Sequence, residues 1–357
     1  MVRILVFLLS ILATAAVAEC RDTGHILNLG VGRQPRVAFS EDGAAYAVFG
    51  NDGVFWARSS DVGKSWSTPS RIPSLVGKMP LGMRRGPRIC TAGDAIVITE
   101  VMSVKGGGAD GDLVAVRSVD KGKTWSNPIT ISDTPRAARE GLDGLASDGH
   151  NRIAAVWLDL RDKGTTIMSS FSRDQGATWS RNVLVYRSPD GHVCECCHPS
   201  VVFDNKGTVH VMFRNWLGGN RDMYVASSSD FGATWGSAQK LGKGSWPLNA
   251  CPMDGGEIGC LKQGTIAVWQ RDGGIFTAMA DGTSERRLDT GHQPTLATTA
   301  AGVWIAYLKG NDLWIVSERG ESYMLAKDAA DPVLASENNH VLCAWESDGH
   351  SFVTPLN

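Results

Sequence analysis

The fold class this sequence predicts is an all-β ring of sheets, a β-propeller, and three observations predict it. An octapeptide of the form Ser/Thr-x-Asp-x-Gly-x-Thr/Ser-Trp recurs at Ser59 to Trp66, Ser118 to Trp125, Ser172 to Trp179 and Ser228 to Trp235, its aspartates 59, 54 and 56 residues apart. A second repeat, a proline-opened strand followed by a turn and a strongly apolar strand, precedes each of these and continues beyond them. Finally, 41 Gly and 14 Pro punctuate a chain of 357 residues that is 43% hydrophobic. Such a chain has the apolar content for a large core, and turn formers interrupt it too often for long helices.

The elements follow in order. Arg3 precedes the apolar run Ile4 to Val17 and the small-x-small site Ala16-Val17-Ala18, which reads as a signal peptide over residues 1–18. No later apolar run reaches the roughly 20 residues a spanning helix needs. The expected product is an exported protein, periplasmic or secreted, with one domain over residues 19–357. Strand units open at Pro35, Pro87, Asp143 (in place of a proline), Pro199, Pro252, Pro294 and Pro332. Seven units at 38 to 56 residues predict seven blades of four strands, or six if the shorter final units merge. The last unit holds three strands, and the segment His25 to Leu29 has no sheet of its own, so this N-terminal strand is expected to complete the C-terminal blade. The octapeptide itself suits a hairpin staple: Asp accepts hydrogen bonds from turn amides, Gly takes a positive φ and Trp covers the turn.

A balance of 35 basic against 37 acidic residues, with no basic stretch, argues against a nucleic-acid partner. The expected partner is a small molecule, a glycan or a metal at the channel mouth of a monomer.

Taken together, the four octapeptides resemble the Asp-boxes of the sialidase superfamily, and the resemblance covers nearly all of the chain after residue 18. What it implies is a carboxylate-binding arginine triad, a tyrosine nucleophile assisted by a glutamate, and an aspartate acid/base. Gly32-Arg33-Gln34-Pro35 keeps the arginine and proline of the family's opening motif, and Phe213-Arg214-Asn215 is similar to the segment that carries a second arginine. Arg33 and Arg214 are therefore the candidate carboxylate ligands, and Asp52 the candidate acid/base. Bidentate pairing explains why arginine would serve there. No counterpart of the third arginine or of the nucleophile stands out, since Arg319, Tyr307 and Tyr323 sit in dissimilar contexts.

One segment lies outside that resemblance: His192-Val193-Cys194-Glu195-Cys196-Cys197-His198-Pro199. Three thiols and two imidazoles in so short a run suit a soft metal such as Cu(I), or zinc. Cys251 precedes Pro252 as His198 precedes Pro199, which predicts neighbouring positions on adjacent inner strands, and Met253 adds a thioether that copper accepts. The candidate metal ligands are thus Cys194, Cys196, Cys197, His198, Cys251 and Met253, with copper the candidate cofactor. Eight cysteines in an exported chain also permit disulfides, whose connectivity spacing cannot give. Three functions follow from these residues: a soft-metal or thiol-redox protein of the cell envelope, an exo-sialidase-type glycoside hydrolase on acidic sugars, and a non-catalytic binding scaffold.

Overall fold

The structure, a computed structural model, describes residues 25–356; the expected signal peptide and Cys20 lie outside the described residues. Twenty-eight strands form seven four-stranded antiparallel sheets, with no helix among the described residues. Six sheets take their strands in chain order. In the seventh, Ala330–Glu337, His340–Ser347 and His350–Leu356 are joined on the outside by Leu27–Val31. Leu27 pairs with Val353 and Val31 with His350, so the chain's first described strand closes the ring, two residues further along than expected.

The inner strands of blades 1 to 7 are Arg33–Phe39, Arg88–Ala92, Asp143–Ser147, Ser200–Phe203, Glu257–Leu261, His292–Thr298 and Ala330–Glu337. Each runs away from the face on which it starts, here called the upper face. Because neighbouring strands alternate in direction, the four octapeptides between third and fourth strands return to the opposite, lower face.

Three inner strands share a local device. Gln34, Gln293 and Asp331 each precede a proline, each has a positive φ (57°, 51° and 50°), and the ladder register shifts at each. Proline has no amide to give a ladder, so it fits at a bulge, and the bulge re-aims the residue before it. One expectation requires correction. Pro252 does not open the fifth blade, whose inner strand starts five residues later at Glu257, behind Gly255-Gly256.

The octapeptides hold blades together as well as closing their own turns. Asp61 accepts from the Ser65 amide at 2.9 Å and from its hydroxyl at 2.6 Å, while the Gly63 amide donates to Ser59 Oγ at 2.8 Å. Gly122 has a φ of 86°, and a Cβ on it would lie 1.9 Å from the Trp56 ring of the preceding blade. Gly232 meets Phe171 of the preceding blade in the same way. Glycine is thus required twice over, for its φ and for the closeness of the next sheet. Between blades lie apolar clusters with fully buried Trp157, Trp269 and Trp345.

Candidate functional site

The cysteine segment belongs to the connection from blade 3 to blade 4 on the upper face. Its backbone is pinned at Val193, whose amide donates to the Thr165 carbonyl at 2.9 Å, and at Cys194, whose amide donates to the Arg214 carbonyl at 3.0 Å. These bonds turn the three thiols inward together. Cys194 Sγ lies 3.4 Å from Cys197 Sγ and 3.6 Å from Cys196 Sγ, and all three sulfurs fall within 4.8 Å of one another. Cys194, Cys196 and Cys197 are buried, and all seven described cysteines are free thiols.

Two arginines stand over the sulfurs. Arg221 Nη1 donates to Cys194 Sγ at 3.0 Å, its Nε to the Leu248 carbonyl at 3.2 Å, and its guanidinium carbon lies 4.5 Å from the Trp216 ring centre. Arg214 is 1% exposed and fully committed to backbone: Nε and Nη2 to the Asp254 carbonyl, Nη2 also to that of Gln270 at 2.8 Å, and Nη1 to that of Arg221 at 2.8 Å. It thereby fixes the residue whose side chain reaches Cys194. The hydrogen bonds of Cys196 and Cys197, then the charges of Arg214 and Arg221, pull the Cys194 thiol far below its ordinary range. Contact with Cys194 pushes Cys196 up, and burial pushes Cys197 up to about 12. The Arg221 contact thus favours a thiolate at Cys194 over the other two sulfurs.

The other expected ligands take different places. Cys251 is exposed and Met253 is 37% exposed; both lie in the loop ahead of the fifth inner strand, and neither joins the sulfur group. His198 is buried beneath the cluster's backbone, lines the axial channel and packs against Gly255. The neighbouring positions expected of His198 and Cys251 are not found, because the fifth strand starts at Glu257 and leaves Cys251 in the loop.

The expected carbohydrate residues are also scattered. Arg33 is half-exposed on the upper face, and its Nε donates to Glu346 at 2.7 Å. Asp52 is 73% exposed, 3.9 Å from Arg71. No hydrogen bond or ion pair joins Arg33, Asp52 and Arg214 among the described residues. Tyr307 is buried and donates its hydroxyl hydrogen to Asp289 at 2.6 Å. Sequence reasoning missed the buried arginines Arg36, Arg84 and Arg88, which flank the opening prolines of blades 1 and 2. Their signal was present: arginine beside a proline that opens an inner strand points at the channel.

Comparison with known proteins fits this architecture. The model of the BNR repeat-like domain matches residues 90–289. A sialidase of Clostridium perfringens is 25% identical over 231 residues, which span 57% of this chain and 56% of that enzyme, so the similarity reaches little more than half of its length. An α-L-arabinanase of Penicillium chrysogenum superposes with a TM-score of 0.56 at 16% identity, covering 93% of this chain and 98% of that one. The intramolecular trans-sialidase of Ruminococcus gnavus gives 0.53 at 12% identity, covering 91% and 94%. At such identities the superpositions speak to fold alone. With the family model matched over more than half its length, the chain belongs to the BNR repeat-like domain family and is a sialidase-like seven-bladed β-propeller.

Proposed function

We propose that this propeller is an exported soft-metal protein that binds Cu(I) through Cys194, Cys196 and Cys197. The observation that carries the reading is the convergence of three buried sulfurs within 4.8 Å. Metal–sulfur bonds of about 2.3 Å set sulfurs roughly 3.7 to 4.0 Å apart around one ion, close to the separations found here. Thiolate donors select soft ions, and three of them, with no fourth His, Cys, Asp or Glu ligand atom grouped with them among the described residues, suit Cu(I) better than tetrahedral zinc. Charge supports the same choice. Three thiolates and one monovalent cation leave two negative charges, and Arg214 and Arg221 supply two positive ones beside them. The leader at residues 1–18 would deliver the chain to a compartment where copper is encountered outside the reducing cytoplasm.

The test is anaerobic titration of the reduced chain with Cu(I) against a chromophoric competitor. One equivalent is expected to bind, to be lost on changing Cys194, Cys196 or Cys197 to Ser, and to persist in Cys251→Ser. Cluster cysteines found oxidised in freshly isolated protein and unable to take up Cu(I) after reduction would overturn the reading.

Glycoside hydrolysis is the second reading, favoured by the identity shared with the clostridial sialidase. On this chain it rests on Arg33, the one family-like arginine whose guanidinium is accessible. Turnover of a fluorogenic acidic-sugar conjugate should then fall about tenfold in Arg33→Lys, which keeps charge and loses the fork. Absence of turnover in the unaltered chain removes this reading.

A further inference from the structure

The axial channel holds a second site of different chemistry. A cavity of about 370 Å³ runs down the axis, lined by the inner strands of all seven blades. Its upper end is shut. Arg84, 2% exposed, crosses there and donates to the carbonyls of Pro332 at 2.8 Å and Gln293 at 2.6 Å, while Gln34 and Asp331 hydrogen-bond beside it. None of these five residues lines the cavity, which instead extends along the inner strands towards Cys260, Thr298 and Ser336 near their lower ends. The cavity therefore faces the octapeptide side, opposite Arg33 and the cysteine cluster.

At the blind end the protein presents hydrogen-bond donors without partners. Arg88 is 6% exposed; its Nε donates to the Asp143 carbonyl at 3.0 Å and its Nη2 to the Arg84 carbonyl at 2.6 Å, which orients the guanidinium, while the buried Nη1 has no hydrogen-bond partner among the described residues. Arg36, 8% exposed, makes one side-chain hydrogen bond among the described residues, from Nη1 to the Pro35 carbonyl at 2.9 Å. A buried guanidinium so sparsely bonded is costly unless something accepts from it. The carboxylates nearby are already engaged, Asp143 by Thr99 at 3.0 Å and by Arg88, Glu257 by the Ser200 hydroxyl. The field agrees with the geometry. Burial, then Arg88 and Arg84, pull Arg36 down from its usual range. Below this ring the wall mixes apolar residues, among them Val37, Leu145 and Leu296, with Thr298 and Ser336.

We propose that this cavity binds a small monocarboxylate, its charged end on Arg36 and Arg88 and its apolar part in the stem, entering from the lower face. A flat carboxylate matches guanidinium donors. A multiply charged tetrahedral oxoanion would meet more repulsion from Asp143 and Glu257 than a monoanion does.

The experiment is calorimetric titration of the full chain with acetate, butyrate and benzoate, and in parallel with phosphate and sulfate. Saturable binding is expected for the carboxylates, tightening from acetate to butyrate as apolar surface is buried, with phosphate and sulfate weaker. Arg36→Gln, checked as folded by circular dichroism, should weaken it by about tenfold or more. Thr298→Trp, which narrows the lower end without touching the donors, should slow association. No saturable carboxylate binding, unchanged affinity in Arg36→Gln, or phosphate and sulfate bound more tightly than every carboxylate would each overturn the proposal.

Discussion

Arg84 Nη2 donates to the carbonyl oxygen of Gln293 at 2.6 Å, tying the loop ahead of blade 2 to the inner strand of blade 6. The same guanidinium reaches Pro332 of blade 7, and its Nε lies 3.9 Å from Asp331. One side chain thus spans the top of the ring at a residue whose own φ is 67°. Replacing it by Met keeps the stem's bulk but leaves the carbonyls of Pro332, Gln293 and Pro294 without their donor and the buried Asp331 carboxylate without its nearby positive charge. The expected loss is about 3 to 5 kcal/mol in denaturant unfolding. A loss below about 1 kcal/mol would show the strap to be ornamental.

Arg214 is expected to behave as a strut. Arg214→Lys cannot reach the Asp254, Gln270 and Arg221 carbonyls at once, so stability should fall by about 1 to 3 kcal/mol. Equilibrium unfolding measures this directly. An unchanged midpoint together with lost turnover on an acidic sugar would instead give Arg214 a substrate-facing role.

Glu100 gives a pH dependence of known sign. Burial and then Asp143 hold its carboxyl well above the usual range, so the folded chain keeps a proton that the unfolded chain releases above about pH 4.5. Its contribution to stability is therefore fully present below about pH 4.5 and declines as pH rises above that value towards the raised folded one. Glu100→Gln mimics the protonated form. It should raise the thermal midpoint at pH 7 and change it little at pH 4, and an equal effect at both values would contradict the assignment.

The octapeptide aspartates act in the opposite sense. The hydroxyl and amide of Ser65 hold Asp61 down at about 2, and Thr124 and Thr234 hold Asp120 and Asp230 at about 2 likewise. Depressed carboxylates stabilise the fold above their unfolded value near 3.8 and lose that contribution as pH falls towards 2. Thermal midpoints should drop across that window. Asp120→Asn, already without the charge, should lower the midpoint at neutral pH and flatten the acid decline.

Most of the fold was legible because its signals are local. An octapeptide whose Ser, Asp and Gly bond within four residues carries its own turn, so its recurrence reports the blades directly. The fifth blade was misplaced because Pro252 resembles the other opening prolines, while Gly255-Gly256 delays the strand to Glu257. The thiol trio was visible as adjacent cysteines. Arg221, 27 residues from Cys194 in sequence, reaches it only through the Asn215–Asp222 closure of its loop. Arg36, Arg84 and Arg88 were passed over because what makes them unusual is the company of other blades at the axis, which no window along the chain contains.

Ring closure by Leu27–Val31 bears on how the molecule comes into being. Ser351 Oγ donates to the Gly32 carbonyl at 3.0 Å across a separation of 319 residues, so the seam cannot form until nearly the whole chain is available. High contact order slows folding, and stacked repeats that end freely can fray from their termini. Here the first and last described strands pair with each other. The seam makes the ring a single cooperative unit, and it also brings the two ends of the folded chain to neighbouring strands of one sheet. A circular permutant joined across that seam and opened within Gly106-Gly107-Gly108 would then move the late, non-covalent closure from the seventh blade to the pairing of Ala95–Met102 with Asp112–Ser118 in the second.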